Sequence, residues 1–297
     1  MNNEQIINTG KRQDKSAAAN AQNANAAGFA VNSSPLTVLN AHCRFRNDKR
    51  KVKRPAFANC SPPLKVPVYE IFFSYQGEGL YTGLPQIFVR FAGCNIKCGY
   101  CDTAYSVKIS DKAYYMSAQD LLKQIKKIYK DNKKSFSFGK PSVALTGGEP
   151  LIHAGFLKYF LPMLRKEGFC AYLETNATMP ERLKKILKFC GIVSMDFKFA
   201  SDCGKSFWKK HEEFLKIAKN KVFIKCVITN KTKFAEIQKS VSIIKKISKN
   251  THLILQPSAD KRSRPKLADI YRFYSYAQKQ LPNIHLMAQM HKVYGMR

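Results

Sequence analysis

No apolar stretch of this 297-residue chain approaches the length of a membrane span. No apolar core of an export signal follows the first residues, so a cytoplasmic location is expected, with no membrane partner. Acidic side chains are scarce. Twenty Asp and Glu stand against 51 Lys and Arg, for a formal net charge of +31. Such an excess suits a polyanion partner, but no nucleic-acid motif accompanies it. Lysine is the default polar residue of the helices, as in Lys123, Lys126, Lys127, Lys130, Lys133 and Lys134, and no specific nucleic acid is expected. No internal repeat is present. The nine cysteines are an odd number, and Cys43, Cys60, Cys170, Cys190, Cys203 and Cys226 are scattered. That pattern excludes a disulfide framework and points to free thiols in a reducing compartment.

What is present divides the chain in two. Residues 1–66 hold a low-complexity stretch, Ser16 to Ala27, and a basic run, Arg44 to Arg54. This extension has no core-forming pattern and is expected to be disordered. Residues 67–297 carry the apolar periodicity of a folded domain, and a hydrophobic content of 45% supplies a full core.

Strands are predicted at Val68–Phe73, Gln86–Phe91, Ser142–Leu145, Phe169–Leu173, Ile192–Phe197, Val222–Ile228 and His252–Leu255. Helical spacing runs from Ala118 to about Lys130, after a capping signal at Ser117 and Asp120, and again over Phe234–Ile247. Alternating strands and helices predict an α/β fold. The expected architecture is a partial, incomplete TIM-type barrel of about six βα units with a mainly parallel sheet. In such folds ligands bind beyond the C-terminal strand ends. The segments placed there are the run after Phe91, Thr146-Gly-Gly-Glu-Pro150, Glu174-Thr-Asn176, Asp196-Phe-Lys198 and Gln256-Pro257.

Cys94, Cys98 and Cys101 lie within eight residues. Three thiolates that close can converge on one metal centre, which leaves a fourth coordination position open. By spacing alone, an iron–sulfur cluster, a structural zinc with a distant fourth ligand and inert buried thiols all fit. The Gly147-Gly148-Glu149-Pro150 turn after a strand favours the cluster. Glycines there let backbone approach a ligand, and Glu149 suits a ligand ammonium.

The C-x3-C-x2-C run with the downstream GGEP resembles the radical S-adenosylmethionine enzymes. Glu70-Ile-Phe-Phe-Ser-Tyr-Gln-Gly-Glu-Gly79, Gly83-Leu-Pro85, Phe88-Val-Arg-Phe-Ala-Gly-Cys94, Cys101-Asp-Thr103, Glu174-Thr-Asn176, Leu255-Gln-Pro257 and the tail Gln289-Met-His-Lys-Val-Tyr-Gly-Met-Arg297 resemble the 7-carboxy-7-deazaguanine synthase family more narrowly. The resemblance covers about Val68 to Arg297. Glycyl-radical-enzyme activases, the alternative, share the cysteine run and GGEP but are not expected to carry the QGEG segment or the HKxxG tail.

The resemblance implies ring contraction of 6-carboxy-5,6,7,8-tetrahydropterin to 7-carboxy-7-deazaguanine with loss of ammonia, on the way to queuosine and related deazapurines. It implies a [4Fe–4S] cluster on Cys94, Cys98 and Cys101, S-adenosyl-L-methionine, and Mg²⁺ on the Thr103 hydroxyl. Substrate contacts fall on Tyr75, Gln76, Gly77, Arg90, Thr146 and Arg297. Cofactor contacts fall on Tyr100, Cys101, Asp102, Gly148, Asp196, Phe197, Lys198, Leu255, Gln256, Pro257 and Ser258. A homodimer and an electron donor such as flavodoxin or ferredoxin are implied as partners. Three positions depart from the family: Ala177 stands where glycine is usual, Ser258 where methionine is usual, and the chain ends in Arg297. His153, His211 and His285 match nothing in the pattern and are expected on the surface or satisfied in the core.

Overall fold

The computed structural model describes residues 65–136 and 139–296. Its strands are β1 (Val66–Tyr75), β2 (Pro85–Phe91), β3 (Tyr114–Met116), β4 (Ser142–Gly147), β5 (Cys170–Thr175), β6 (Cys190–Asp196), β7 (Val222–Ile228), β8 (Leu253–Pro257) and β9 (Ile284–Leu286). Its helices are α1 (Ala118–Asp131), α2 (Ala154–Lys166), α3 (Pro180–Ile186), α4 (Ala200–Cys203), α5 (Trp208–Ala218), α6 (Phe234–Ser248), α7 (Leu267–Gln278) and α8 (Met290–Val293). The strands form one sheet in the order β3-β1-β2-β4-β5-β6-β7-β8-β9. From β2 to β9 every neighbouring pair is parallel, and β1 and β3 close one edge antiparallel. The sheet stays open, as an incomplete barrel does. Only the short edge strands β3 and β9 escape prediction, because three residues carry too little periodicity. No helix among the described residues is long and apolar enough to cross a membrane.

Both faces of the parallel strands are covered, which is why they read as near-continuous apolar runs. The outer face packs against the helices in the main core, with Val89, Leu145, Leu173, Val193 and Leu255 almost fully buried. α1 starts where predicted, with the Ser117 hydroxyl accepting from the Asp120 amide at 3.2 Å. The inner face carries a second, aromatic layer of Phe72, Tyr81, Phe88, Ala144, Tyr172, Ile192, Phe223 and Ile254. Phe72 stacks on Phe88 at 5.2 Å between centroids, and Tyr81 meets Tyr172 edge-on at 5.6 Å. Each large side chain buried there contributes about 1.5–3 kcal/mol.

Strand periodicity is two, so the residue two further on points the same way. Above the aromatic layer, one step further along β2, β4, β5, β7 and β8 and two steps along β6, the strands present polar side chains: Arg90, Thr146, Glu174, Lys225, Gln256 and, on β6, Asp196. The ladder sets Arg90 beside Thr146 and Asp196 beside Lys225. The apolar layer floors the site, and this polar ring begins it.

The scattered cysteines match expectation in part. Cys190 and Cys226 are buried free thiols, and Cys203 is free. Cys170 departs from it and is disulfide-bonded. Of the three unmatched histidines, His153 and His285 are satisfied, while His211 meets the Asn176 carbonyl through Nε2 at 3.2 Å and leaves its buried Nδ1 without a hydrogen-bond partner. His153 meets the Ala92 carbonyl at 2.8 Å, and His285 meets His252 at 2.8 Å. His211 is fully buried, and burial holds its pKa down at about 3.

Candidate active site

The C-terminal strand ends open onto a cavity of about 530 Å³. The cysteine loop forms one wall and is stitched to its surroundings by backbone bonds. Gly93 donates to the Ser106 carbonyl at 2.7 Å, Cys94 to Val107 at 2.9 Å, and Gly99 to Asp202 at 2.9 Å. Cys94, Cys98 and Cys101 are free, partly buried, and all line the cavity. Among the described residues no three acidic, cysteine or histidine side chains already converge on one point. An iron–sulfur cluster does not require that. It spans its thiolates through its own irons and sulfides, so three free thiols sharing one wall fit it.

The GGEP turn has a different physical basis from the one its sequence suggests. A Cβ on Gly147 would stand 2.2 Å from the Phe91 carbonyl oxygen, and one on Gly148 2.0 Å from that of Gly93. The glycines let β4 pack directly on the cysteine loop, although Gly148 also lines the cavity. Glu149 does not line the cavity. It is fully buried, and its carboxylate accepts from Thr175 Oγ1 at 2.8 Å and from the amides of Asn176 and Leu151 at 2.7 and 3.0 Å. Burial outweighs those bonds and raises its pKa to about 7. Glu149 therefore braces the cysteine loop against the β5 end.

The structure brings most of the predicted residues to this cavity. Tyr75, Gln76, Gly77, Arg90 and Thr146 line it, as do Tyr100, Cys101, Asp102, Thr103, Gly148, Asp196 and Lys198. Two buried atoms in the lining have no hydrogen-bond partner: Arg90 Nε and Asp196 Oδ1. Each has only a longer ion contact, Arg90 Nε to Glu70 at 3.6 Å and Asp196 Oδ1 to Lys225 at 3.4 Å, and a buried donor or acceptor without a hydrogen bond is costly. Asp196 Oδ2 holds Lys198 Nζ at 2.8 Å, and Lys198 reaches the Tyr100 hydroxyl at 3.3 Å.

Other predicted contacts lie elsewhere. Phe197 belongs to the core and stacks on the His211 ring at 4.8 Å, because the residue after Asp196 points to the opposite face of β6. Leu255 faces the helices for the same reason. Gln256 is buried beneath the cavity and donates to Glu78 at 2.8 Å. Ser258 bonds Ser263 at 2.8 Å, and neither it nor Pro257 lines the cavity. Arg297 lies outside the described residues, as does the segment 1–64. Ala177 has φ +55, so the loop keeps a left-handed conformation at a cost of about 1–2 kcal/mol for a residue with a Cβ.

The cavity is also lined by Glu78, Glu174, Gln289, His291 and Lys292, which the sequence offered as parts of motif segments without individual roles, and by Lys225, which it did not offer. Lys225 had a legible signal, a lone charge inside the apolar run Val222–Ile228. Its ammonium, buried with the strand, pairs with Glu78 and lies 3.4 Å from Asp196 Oδ1. Glu78 also accepts from Gln256, and from Gln289 of the C-terminal segment at 3.0 Å. That segment closes over the cavity. Met290 donates to the Gly77 carbonyl at 2.9 Å, and Lys292 lies 3.3 Å from Asp102.

Burial alone would raise the Glu78 pKa. Lys225, His291 and the amide of Gln289 outweigh burial and hold it at about 2. A carboxyl whose folded pKa lies below its unfolded value stabilises the fold above the unfolded value and loses that stability as pH falls. Relative to a Glu78→Gln variant, the wild-type unfolding free energy is expected to shrink by about 2 kcal/mol between pH 5 and pH 3. Urea titrations at both pH values measure this, and an unchanged difference would contradict the pairing.

The sheet, the cavity and the thiol loop define a radical S-adenosylmethionine enzyme, and the family description "Radical SAM superfamily" matches residues 88–233. The 7-carboxy-7-deazaguanine synthase of Geobacter sulfurreducens is 32% identical over 240 residues, covering 76% of this chain and 96% of its own. That of Archaeoglobus fulgidus is 34% identical over 241 residues, covering 79% and 100%. The crystal structure of QueE from Escherichia coli aligns with a TM-score of 0.55 at 25% identity, over 76% of this chain and 95% of that one. This chain belongs to the 7-carboxy-7-deazaguanine synthase family. With that membership come a [4Fe–4S] cluster and S-adenosylmethionine as cofactors and a small molecule as substrate.

Proposed function

We propose that this chain contracts the ring of 6-carboxy-5,6,7,8-tetrahydropterin to 7-carboxy-7-deazaguanine, releasing ammonia. The observation that carries the reading is Arg90. Its guanidinium lines the cavity with Nε buried and unbonded, and the Glu70 carboxylate 3.6 Å from that nitrogen is its ion partner. A planar fork with a spare donor suits a substrate carboxylate. The reaction loses one NH₃ and is otherwise redox-neutral, so a cofactor that is regenerated each turnover suffices.

When bound, the cluster and S-adenosylmethionine supply a 5′-deoxyadenosyl radical that takes a substrate hydrogen. This chain's own residues bind and orient. Cys94, Cys98 and Cys101 would hold the cluster. Gly148, Tyr100, Asp102, Asp196 and Lys198 would meet the nucleoside cofactor, with the unbonded Asp196 Oδ1 as acceptor. Gln76 and Glu174, 2.9 Å apart, supply an amide and a carboxylate for the polar edge of the pterin, beside Thr146. The C-terminal segment excludes water above them, and Arg297 would extend that closure. Thr103 would offer a hard oxygen to Mg²⁺. A homodimer, a flavodoxin or ferredoxin donor, a cytoplasmic setting and a non-catalytic role for residues 1–66 complete the reading.

Anaerobic reconstitution followed by dithionite, S-adenosylmethionine, Mg²⁺ and the carboxytetrahydropterin is expected to yield the deazaguanine acid and ammonia. Cofactor cleavage without that product would refute the assignment. A glycyl radical raised instead on a protein substrate would identify an activase. Arg90→Gln is expected to lower kcat/KM about 100-fold or more, mostly through KM, since it leaves a buried carboxylate unpaired. Deleting residues 1–60 is expected to leave turnover within about twofold of the full chain, since none of the residues proposed to bind cluster, cofactor or substrate lies in that segment. Steady-state assays of both variants check these outcomes.

A further inference from the structure

One cysteine outside the C-x3-C-x2-C run reaches the site. Cys203 ends α4, and its sulfur lies 3.3 Å from Cys98 Sγ. A disulfide is about 2.05 Å long, so the two sulfurs need to close by only about 1.3 Å. The approach is fixed by backbone as well as by side chains. Gly99, next to Cys98, donates to the carbonyl of Asp202, next to Cys203, at 2.9 Å. Both thiols are free and partly buried, and each has exposed neighbours: Lys97 and Gly99 on one side, Gly204 and Lys205 on the other. A small disulfide reagent can therefore reach them. Gly204 turns the chain away in a left-handed conformation (φ +73), which leaves the Cys203 side chain facing the loop. Nothing in the proposed reaction uses Cys203.

We infer that Cys98 and Cys203 form a reversible disulfide in the cluster-free protein, a redox-modification site that withholds Cys98 from iron until it is reduced. The inference rests on the reading that Cys98 is a cluster ligand. A sulfur bonded to Cys203 cannot also be a thiolate on iron, so disulfide and cluster exclude each other. With oxidised glutathione the step balances. Cys98 thiolate attacks one glutathione sulfur and expels glutathione. Cys203 thiol then attacks Cys98 Sγ, forms the intramolecular bond and expels the second glutathione. Two protein thiols are oxidised and one glutathione disulfide is reduced to two thiols. A reversible bridge also keeps the cluster-free Cys98 from passing to sulfinic and sulfonic acids, which are not recovered.

The test uses the full chain in its cluster-free form, incubated anaerobically with oxidised glutathione and then mapped by non-reducing peptide mass spectrometry. A Cys98–Cys203 linked peptide is expected. Iron and sulfide uptake should fall at least tenfold in proportion to that peptide, and dithiothreitol should restore both. Cys203→Ser should load a normal cluster when untreated. After oxidised glutathione it should carry a glutathione adduct on Cys98 in place of the link. Absence of the linked peptide in wild type, with wild type and Cys203→Ser losing iron uptake equally, would overturn the inference. Failure of the untreated protein to assemble any cluster would instead refute the cluster reading, whatever the peptide map shows.

Discussion

Gly148→Ala is expected to lose most of its cluster, with iron and sulfide per chain falling at least tenfold after anaerobic reconstitution. The added methyl would stand 2.0 Å from the Gly93 carbonyl oxygen, 2.4 Å from its carbon and 2.8 Å from the Ser106 carbonyl oxygen. All three are backbone atoms, so no rotamer change relieves the clash. The backbone is also pinned on both sides. Gly148 donates to Phe91 at 3.1 Å, Glu149 to Gly93 at 2.8 Å, and Gly93 to Ser106 at 2.7 Å. The methyl therefore forces β4 away from the cysteine loop, and at least one of those bonds breaks. Overpacking of this kind costs about 1–3 kcal/mol, and a lost buried bond adds about 1–3 more. A fall in the thermal midpoint of about 5–15 °C is expected for a domain of this size. Gly155→Ala is the control. Nothing lies within 4 Å of its added methyl, and it sits in α2, where alanine is favoured over glycine by about 1 kcal/mol. It should load a full cluster. A Gly148→Ala protein with normal iron content would show that the close packing of turn and loop does not hold the thiols.

Lys225→Met is expected to destabilise the fold by about 3–5 kcal/mol, the cost of removing one partner from a buried ion cluster. Lys225 faces two carboxylates, Glu78 and Asp196, and its positive charge also acts on partly buried Glu174. Without it, three acidic groups converge in a poorly solvated space. The proton balance must change or the segments must part. Either outcome disturbs both halves of the site, because Glu78 follows the Tyr75–Gly77 segment and Asp196 faces Lys198 and Tyr100. Glu78 also anchors Gln289, so the C-terminal segment should loosen. Urea unfolding measures the stability, and hydrogen exchange of residues 287–296 measures the closure. The Lys225→Met, Glu78→Gln double variant should recover part of the loss, since it removes a stranded charge together with its partner. Strict additivity of the two substitutions would contradict direct coupling.

Much of this architecture was legible in the chain. Seven strands and the two clearest helices announced themselves by period, and β7 runs over the predicted Val222–Ile228. The site's position was legible too, because parallel strands of an open α/β sheet present their ligating residues at one end. Short-range motifs carried the chemistry: the three cysteines, the QGEG segment and the tail. Two placements away from the cavity share one cause. Phe197 and Leu255 sit in motif segments, yet side chains alternate along a strand, so a motif's neighbours point to opposite faces. Glu149 was read as a ligand group and is instead a buried brace, a distinction that depends on what surrounds it in three dimensions.

The sequence by itself determined the local elements, the polar residue at the end of each strand and the three thiols that suit a cluster. These depend on periodicity and on contacts within a few residues, which any chain carries in its own order. The tertiary structure alone decided that Lys225 joins Glu78 to Asp196, that Gly148 lies against Gly93, and that Cys203 stands beside Cys98. Those partners are separated by 147, 55 and 105 positions. Their meeting is fixed by the register of the sheet and the packing of its crossovers, which no local pattern encodes.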